Sequence, residues 1–197
     1  YNQVFVKYCS GDLHMGQQTA PGATLSNLQF SGHLIVAAVL DTLKETQSLG
    51  QSNLVVFSGE SAGGLGCFAN LDFVADALPN SRVVGAPIGG FYFSNNRTYA
   101  GTDPKPVSFI PWTFAALSTY HTLWDAFVPT RCEKDHKTIP WQCMFAVASY
   151  ASLNSRVFII EGQTDRVVMP LHNGLPQVWE GSNECKDDNS TSHCRKD

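Results

Sequence analysis

The chain has 197 residues, of which 43% are hydrophobic and 15% are charged, so it can bury a sizeable core and is not a disordered polymer. Its net charge of −4 provides no basic surface for a nucleic-acid partner. No apolar run in the sequence is long enough to span a bilayer. These values indicate a folded globular domain.

The first half of the chain alternates between strand and helix patterns. Residues 4–6 predict a short strand, and residues 32–48 predict a helix whose apolar side chains fall on one face. The apolar run at 53–58 predicts a buried strand, residues 62–78 predict a second helix, and 82–87 predict another strand. Strands that alternate with helices are typical of a parallel sheet with crossover connections.

The second half begins with a stretch that has no clear periodicity. Helices are predicted at 111–127 and 139–153, and a strand is predicted at 156–160. A helix is also predicted within 169–179, although two prolines and a glycine interrupt its pattern. From residue 181 the chain is polar.

A Gly-x-Ser-x-Gly pentapeptide lies at residues 59–63, between a predicted strand and a predicted helix. This is the arrangement of a nucleophile elbow, in which a sharp turn lifts the serine hydroxyl above the end of the sheet. Ser61 is therefore the candidate nucleophile, and the backbone N–H of Ala62 is a candidate oxyanion donor. A glycine-rich turn without chemistry is the alternative interpretation of the same residues.

A serine nucleophile needs a histidine base and a carboxylate that orients it, and in α/β-hydrolases they follow in the order Ser, Asp or Glu, His. Asp165 follows the predicted strand at 156–160 and is the expected acid, whereas Glu161 at the strand end is expected to be structural. His172 and His193 are the histidines after Asp165, and both fit surface positions better than a triad position. We therefore expect the triad histidine outside this chain.

These patterns predict the fold class and its division. We expect a single incomplete α/β-hydrolase-like domain, built on a mostly parallel sheet with flanking helices. Its core is expected at residues 1–90 and 154–180, an inserted helical and loop region on the substrate side at 91–153, and a polar tail at 181–197.

The six cysteines do not have the paired C-x-x-C spacing of a zinc site, so no structural metal is expected. Cys132 and Cys143 bracket a polar loop and can close a short disulfide. Cys185 and Cys194 can pair with each other or with other segments, and Cys67 is predicted to be a buried thiol within a helix.

Two sequons for N-linked glycosylation begin at Asn96 and Asn189. Sequons also occur by chance. Together with the cysteines, they favour an oxidising compartment and therefore a secreted protein.

Several motifs occur in the order in which one enzyme family has them. They are Tyr-Cys-Ser-Gly-Asp at 8–12, Ser-Gly-Glu-Ser-Ala-Gly-Gly at 58–64, Gly90-Phe91-Tyr92 with Asn95, Val128-Pro129-x-Arg131-Cys132 followed by Trp141-x-Cys143, and the strand at 157–160 with Asp165. On these motifs the chain resembles the pectin acetylesterase/Notum family of serine carboxylesterases, over nearly its whole length.

The resemblance implies a site without metal or organic cofactor. It implies Ser61 as the nucleophile, Asp165 as the triad acid and the Ala62 N–H as an oxyanion donor. It also implies a disulfide between Cys132 and Cys143.

The acyl pocket of the family supplies a further expectation. Aromatic residues after the second cysteine line this pocket, and Met144 and Phe145 occupy that place here. Tyr92 lies in the segment that resembles the substrate-side loop, so we expect these three residues to bind substrate. The alternative for Phe145 is a purely structural place in the core.

Two segments of the family pattern have no counterpart in this sequence. One is the earlier Gly-Gly-Trp oxyanion stretch, and the other is the later segment that carries the histidine. We therefore expect a fragment that lacks both ends.

The resemblance implies a secreted ester hydrolase that removes an acetyl or longer acyl group. Its expected partners are an acylated polysaccharide or an acylated secreted protein, and no nucleic acid. A catalytically silent binding domain of the same fold is the alternative, and a thioesterase or peptidase on this scaffold is a third hypothesis.

Overall fold

The computed structural model describes residues 2–20, 28–92, 114–162, 165 and 167. In chain order, its helices are α1 (Gly32–Gln47), α2 (Ala62–Ala77), α3 (Phe114–Trp124), α4 (Thr130–Asp135) and α5 (Ala146–Ser152). Short 3-10 helices lie at Leu49–Gln51 and Pro140–Met144. The strands are β1 (Leu54–Glu60), β2 (Arg82–Ile88) and β3 (Arg156–Val157).

The three strands form a parallel sheet in the order β1-β2-β3, which confirms the predicted fold class. Glu60 pairs with Ile88 at the end of β1 and β2, and Ile88 also bridges Ile160 beyond the end of β3. The carboxyl ends of the strands therefore meet at one edge, where ligands bind in open α/β sheets.

Helices α1 and α2 lie over one face of the sheet and form a buried cluster with it, which we call the scaffold cluster. Side chains of adjacent residues in a strand point to opposite faces, so alternate residues of β1 and β2 face these helices. Gly85 makes room for α2, because a Cβ there would lie 2.7 Å from Leu71 Cδ2. The buried members of the scaffold cluster are Val36, Leu40, Leu71, Val74, Leu78 and Val83.

A second buried cluster, which we call the site-side cluster, joins the first half of α2 to the segments between α3 and α5. It contains Leu65, Phe68, Leu117, Met144 and Phe145, among others. The disulfide between Cys132 and Cys143, implied by the resemblance, lies in this cluster and ties α4 to the 3-10 helix at Pro140–Met144. Residues from distant parts of the chain thus pack beside the start of α2.

The Asp12 side chain organises the segment before α1. It is fully buried, and its carboxylate accepts hydrogen bonds from the Gly32 N–H at 2.7 Å, the His14 N–H at 3.1 Å and the Ser10 hydroxyl at 2.5 Å. A buried carboxylate needs such donors, and the negative charge also suits the N-terminus of α1. The aspartate of the Tyr-Cys-Ser-Gly-Asp motif therefore has a structural role.

The strand predicted at residues 4–6 is wrong, because residues 2–9 have no regular secondary structure. Phe5 is 89% exposed. An isolated β-prone segment is not stable without a partner strand, and among the described residues none pairs with it.

The helix predicted at 139–153 is interrupted. Phe145 has an extended backbone with φ −79° and ψ 134°, and it separates the 3-10 helix at Pro140–Met144 from α5. Phe145 is buried in the site-side cluster, so tertiary packing overrides the helical pattern here. The loop expected between the cysteines contains the short helix α4.

The expected helix within 169–179 and the tail at 181–197 lie outside the described residues. None of the helices that the structure describes has the length and apolar character needed to cross a membrane.

Candidate active site

The elbow at the start of α2 has the strained backbone of a nucleophile turn. Ser61 has φ 54° and ψ −113°, a conformation that L-residues rarely adopt and that costs on the order of 1–3 kcal/mol. Strain of this kind persists only where surrounding contacts hold it, as at functional sites. The elbow strain therefore lies at the serine.

The glycines of the elbow serve close packing instead. A Cβ on Gly59 would lie 2.3 Å from the Gly63 carbonyl oxygen, so only glycine fits there. A Cβ on Gly64 would lie 2.8 Å from Gly90 Cα, so α2 and the chain after β2 touch through their backbones. Gly63 has open space around its Cα, so it is not required sterically.

Ser61 lies at an exposed position, although the following turns of α2, from Gly64 to Leu71, are buried. The first N–H groups of an α-helix have no partner within the helix. Ala62 is the first residue of α2, so its N–H belongs to this set. That position and the helix dipole both favour an oxyanion at the serine.

Backbone hydrogen bonds fix this elbow to the neighbouring strand ends. The Ser61 N–H donates to the Ile88 carbonyl at 2.8 Å, and the Gly89 N–H donates to the Ile160 carbonyl at 2.8 Å. Each bond continues the sheet one step beyond its regular pairing. The residues that follow β1, β2 and β3 are thus brought together at one edge.

Asp165, the expected acid, lies at this edge. A Cβ on Gly89 would be 3.7 Å from Asp165 Oδ2, and the other carboxylate oxygen, Oδ1, accepts a hydrogen bond from the Val167 N–H at 2.7 Å. The charge of Asp165 also contributes to raising the pKa of Tyr92, the tyrosine beside Ser61. The structure thus brings Ser61 and Asp165 to the same end of the sheet.

Glu161 has a different role from Asp165. Its Oε1 accepts a hydrogen bond from the Phe91 N–H at 2.5 Å, which fixes the chain that follows β2. This contact gives Glu161 the structural place expected for it.

The Tyr92 hydroxyl lies 3.3 Å from Ser61 Oγ, and either group can donate in this hydrogen bond. Tyr92 is 5% exposed and belongs to the site-side cluster. Burial raises the pKa of Tyr92, opposed by the hydrogen bond to Ser61, and the charges of Asp165 and Glu161 raise it further. The hydroxyl is therefore neutral over the physiological range.

The two other expected pocket residues are more deeply buried. Met144 and Phe145 are 1% and 2% exposed, and both pack in the site-side cluster with Tyr92. Both are core residues of this structure, and their contact with substrate stays a prediction.

None of the histidines in the described part of the chain hydrogen-bonds to Ser61. His33 is buried, and its Nδ1–H donates to Asn70 Oδ1 at 2.6 Å. Burial lowers the pKa values of His14, His33 and His121.

Several expected positions lie outside the described residues. They are His172, His193, Cys185, Cys194, Asn96 and Asn189.

One group of potential metal ligands is found within the described residues, namely Cys132, His136 and Cys143. The two sulfur atoms are joined in the disulfide, so they do not provide thiolates. His136 Nδ1 lies 3.7 and 3.8 Å from them. Cys67 is a buried free thiol, as predicted, and burial raises its pKa to about 12, so it is not a reactive nucleophile.

Sequence reasoning did not identify the contact between Gly64 and Gly90 or the anchoring of Phe91 by Glu161. The contact had a detectable signal, because Gly63-Gly64 and Gly89-Gly90 follow two neighbouring strands at the same edge. Paired glycines at such places indicate close backbone approach.

Comparisons with known proteins agree with this geometry. The pectinacetylesterase family model matches residues 1–196. The palmitoleoyl-protein carboxylesterase notum1 of Xenopus laevis is 30% identical over 177 residues, which cover 87% of this chain and 36% of the relative. The palmitoleoyl-protein carboxylesterase NOTUM of Drosophila melanogaster is 27% identical over 90% of this chain and 27% of the relative.

A solved structure of a Notum protein is also similar to this chain. Crystal form II of the Wnt deacylase Notum from Drosophila superposes with a TM-score of 0.71 at 29% identity, covering 90% of this chain and 52% of that chain. The chain spans about a third of the length of the curated relatives it matches. The family match over nearly every residue, together with the elbow at Ser61, shows that this chain belongs to the pectinacetylesterase family.

Proposed function

We propose that this chain carries the nucleophile and the orienting acid of a secreted serine carboxyl-ester hydrolase. The observation that carries the proposal is the exposed position of Ser61, held by a strained backbone at the first turn of α2. Asp165 lies at the same edge of the sheet and follows the serine in the chain, as in α/β-hydrolases.

In the proposed reaction, Ser61 Oγ attacks the ester carbonyl carbon while a histidine accepts the hydroxyl proton. The carbonyl oxygen becomes an oxyanion, which the Ala62 N–H stabilises. The histidine then protonates the leaving alcohol, and the acyl group remains on Ser61. Water activated by the same histidine releases the carboxylic acid, and Asp165 holds the imidazole in the required orientation.

The triad histidine is the part of this proposal that the described residues do not supply. His172 and His193 are the weaker candidates within the chain. A histidine elsewhere in the whole protein is the stronger candidate, since the chain covers 36% of its relative from Xenopus.

The proposed substrate is an O-acyl group on an extracellular glycan or protein. The family model is named for pectin acetyl esters, and the relatives are named for a palmitoleoyl group on a protein. The chemistry at the serine is the same for both, because only the ester carbonyl reacts. The Cys132–Cys143 disulfide supports the secreted location, since such bonds persist in oxidising compartments.

The test is the Ser61→Ala variant of the whole protein, assayed with p-nitrophenyl acetate and with a fluorophosphonate that labels activated serines. We expect turnover to fall by a factor of at least about 10³ and labelling to disappear, because the nucleophile is lost. Ser58→Ala is the matched control, since the Ser58 hydroxyl donates to the Ala86 carbonyl within the sheet. Unchanged turnover in Ser61→Ala would remove Ser61 as the nucleophile, whereas a wild type with neither turnover nor labelling would favour the binding domain.

A further inference from the structure

We propose that Tyr92 determines acyl-chain length in this protein and restricts the ester to short acyl groups such as acetyl. The inference rests on the proposed function, because it takes Ser61 as the nucleophile. The reaction at the serine is the same for every ester, so it does not select the acyl group. The inference names the residue that makes this selection and the class of acyl group selected.

The position of the Tyr92 hydroxyl carries the first step of the argument. It lies 3.3 Å from Ser61 Oγ, the atom to which the acyl carbon becomes bonded. The acyl carbon and the atom after it must therefore lie against Tyr92 or turn away from it. A methyl group meets this condition easily, whereas each further methylene that runs toward Tyr92 requires space that the phenol ring occupies.

The backbone at Tyr92 is held in place, and its side chain is only 5% exposed, so the ring has little room to change rotamer. The Tyr92 N–H donates to the Gly90 carbonyl at 3.0 Å, and the preceding N–H, of Phe91, donates to Glu161 at 2.5 Å. Gly90 is itself pressed against α2, because a Cβ there would lie 2.6 Å from Gly64 Cα. A shift of Tyr92 would therefore require the strand end and the helix start to separate.

The space behind Tyr92 is already filled. Leu117, Met144 and Phe145 are 0%, 1% and 2% exposed and pack with Tyr92 in the site-side cluster. Protein interiors are close-packed, so a long acyl chain entering here would have to displace these side chains. A chain bonded to Ser61 would also have to pass the polar Tyr92 hydroxyl, which is unfavourable for methylene groups.

The experiment compares kcat/KM for p-nitrophenyl acetate and p-nitrophenyl octanoate in the whole protein and its variants. We expect the wild type to prefer acetate. Tyr92→Phe should lower the acetate-to-octanoate ratio about threefold by removing the hydroxyl, and Tyr92→Ala should lower it about tenfold or more by removing the ring. The change should lie mainly in KM for octanoate.

Tyr150→Phe is the matched control. The Tyr150 ring lies 6.1 Å from that of Phe91 and is half exposed, so losing its hydroxyl should leave the ratio at the wild-type value. Thermal melting identifies a Tyr92→Ala variant that fails to fold, and Tyr92→Phe then decides the question.

The outcomes separate this inference from the proposed function. A wild type that prefers octanoate, or Tyr92 variants with an unchanged ratio, would overturn the role of Tyr92 while Ser61→Ala still abolishes turnover. Retained turnover in Ser61→Ala would overturn Ser61 as the nucleophile and with it the proposed function.

Discussion

The two faces of the sheet differ in what covers them, although their residues are similar. On the face toward α1 and α2, Val83 is 9% exposed and Gly85 and Pro87 are buried. On the other face, Val56 is 56% exposed and Phe158 is 72% exposed. Within the described residues, packing energy is therefore concentrated on one side of the sheet, and the helix that bears Ser61 lies on that side.

This difference shows what an apolar strand pattern reveals about burial. Both faces of β1 carry apolar side chains, which is the pattern of strands covered on both sides. The pattern predicts that a strand is present, but which face is buried depends on the helices that pack against it. The comparison can be tested with paired substitutions on the two faces.

The largest effect is expected from Leu71→Ala in α2, on the covered side. Leu71 is fully buried against the sheet, so removing its side chain leaves a cavity and should lower the free energy of unfolding by about 2–5 kcal/mol. Leu54→Ala on the open face removes the same atoms from a side chain that is 46% exposed, and should cost less than about 1 kcal/mol. Urea unfolding of both variants measures the difference, and equal losses would refute the comparison.

An intermediate effect is expected from acid, because His33 lies buried between α1 and α2. Burial lowers the pKa of His33 in the folded protein, although its hydrogen bond to Asn70 acts in the opposite direction. The unfolded chain then binds a proton more readily than the folded protein. His33 therefore contributes to stability above the ordinary pKa of histidine. This contribution is lost as the pH falls through the pKa of His33 in the folded protein.

Burial lowers the pKa values of His14 and His121 as well, so protonation of each of the three imidazoles at acid pH should lower the free energy of unfolding. Urea midpoints at pH 7.5 and pH 5 measure the loss, and NMR titration of the imidazole protons assigns it. A fold that becomes more stable between these two pH values as the solution is acidified would contradict the prediction.

The smallest effect is expected from Phe158→Ser on the open face. With 72% of Phe158 exposed, its removal should change the free energy of unfolding by no more than about 0.5 kcal/mol. The same variant should bind less of the dye ANS, because it removes exposed apolar surface. A loss of stability as large as that of Leu71→Ala would show that this face is covered in the folded protein.

Much of the fold could be predicted from the sequence, because in most segments the local preference of the residues and their packing favour the same structure. The predicted helix at 32–48 and the strand at 82–87 match α1 and β2 to within one residue at each end. Local and tertiary preferences disagree at Phe145, where the helical pattern continues but core packing imposes an extended backbone. The segment at 4–6 has β-prone residues, and without a neighbouring strand they do not form one.

The candidate site shows a similar division. The Gly-x-Ser-x-Gly pattern between a strand and a helix was sufficient to indicate the elbow and Ser61 as the candidate nucleophile. The hydrogen bond between Ser61 and Tyr92 was not predictable, since the two residues are 31 positions apart and meet across the contact between Gly64 and Gly90. Side-chain distances across such a contact depend on the whole backbone arrangement, which no local pattern encodes.

The contact between Gly64 and Gly90 has a consequence for how this site tolerates change. Because backbone touches backbone there, the spacing between Ser61 and Tyr92 is set without any intervening side chain. Core residues elsewhere can then vary in size, and the protein can gain or lose stability, while the reacting geometry keeps its dimensions. Inherited variation in the scaffold would accordingly alter how long the protein survives before it alters the geometry of the candidate site.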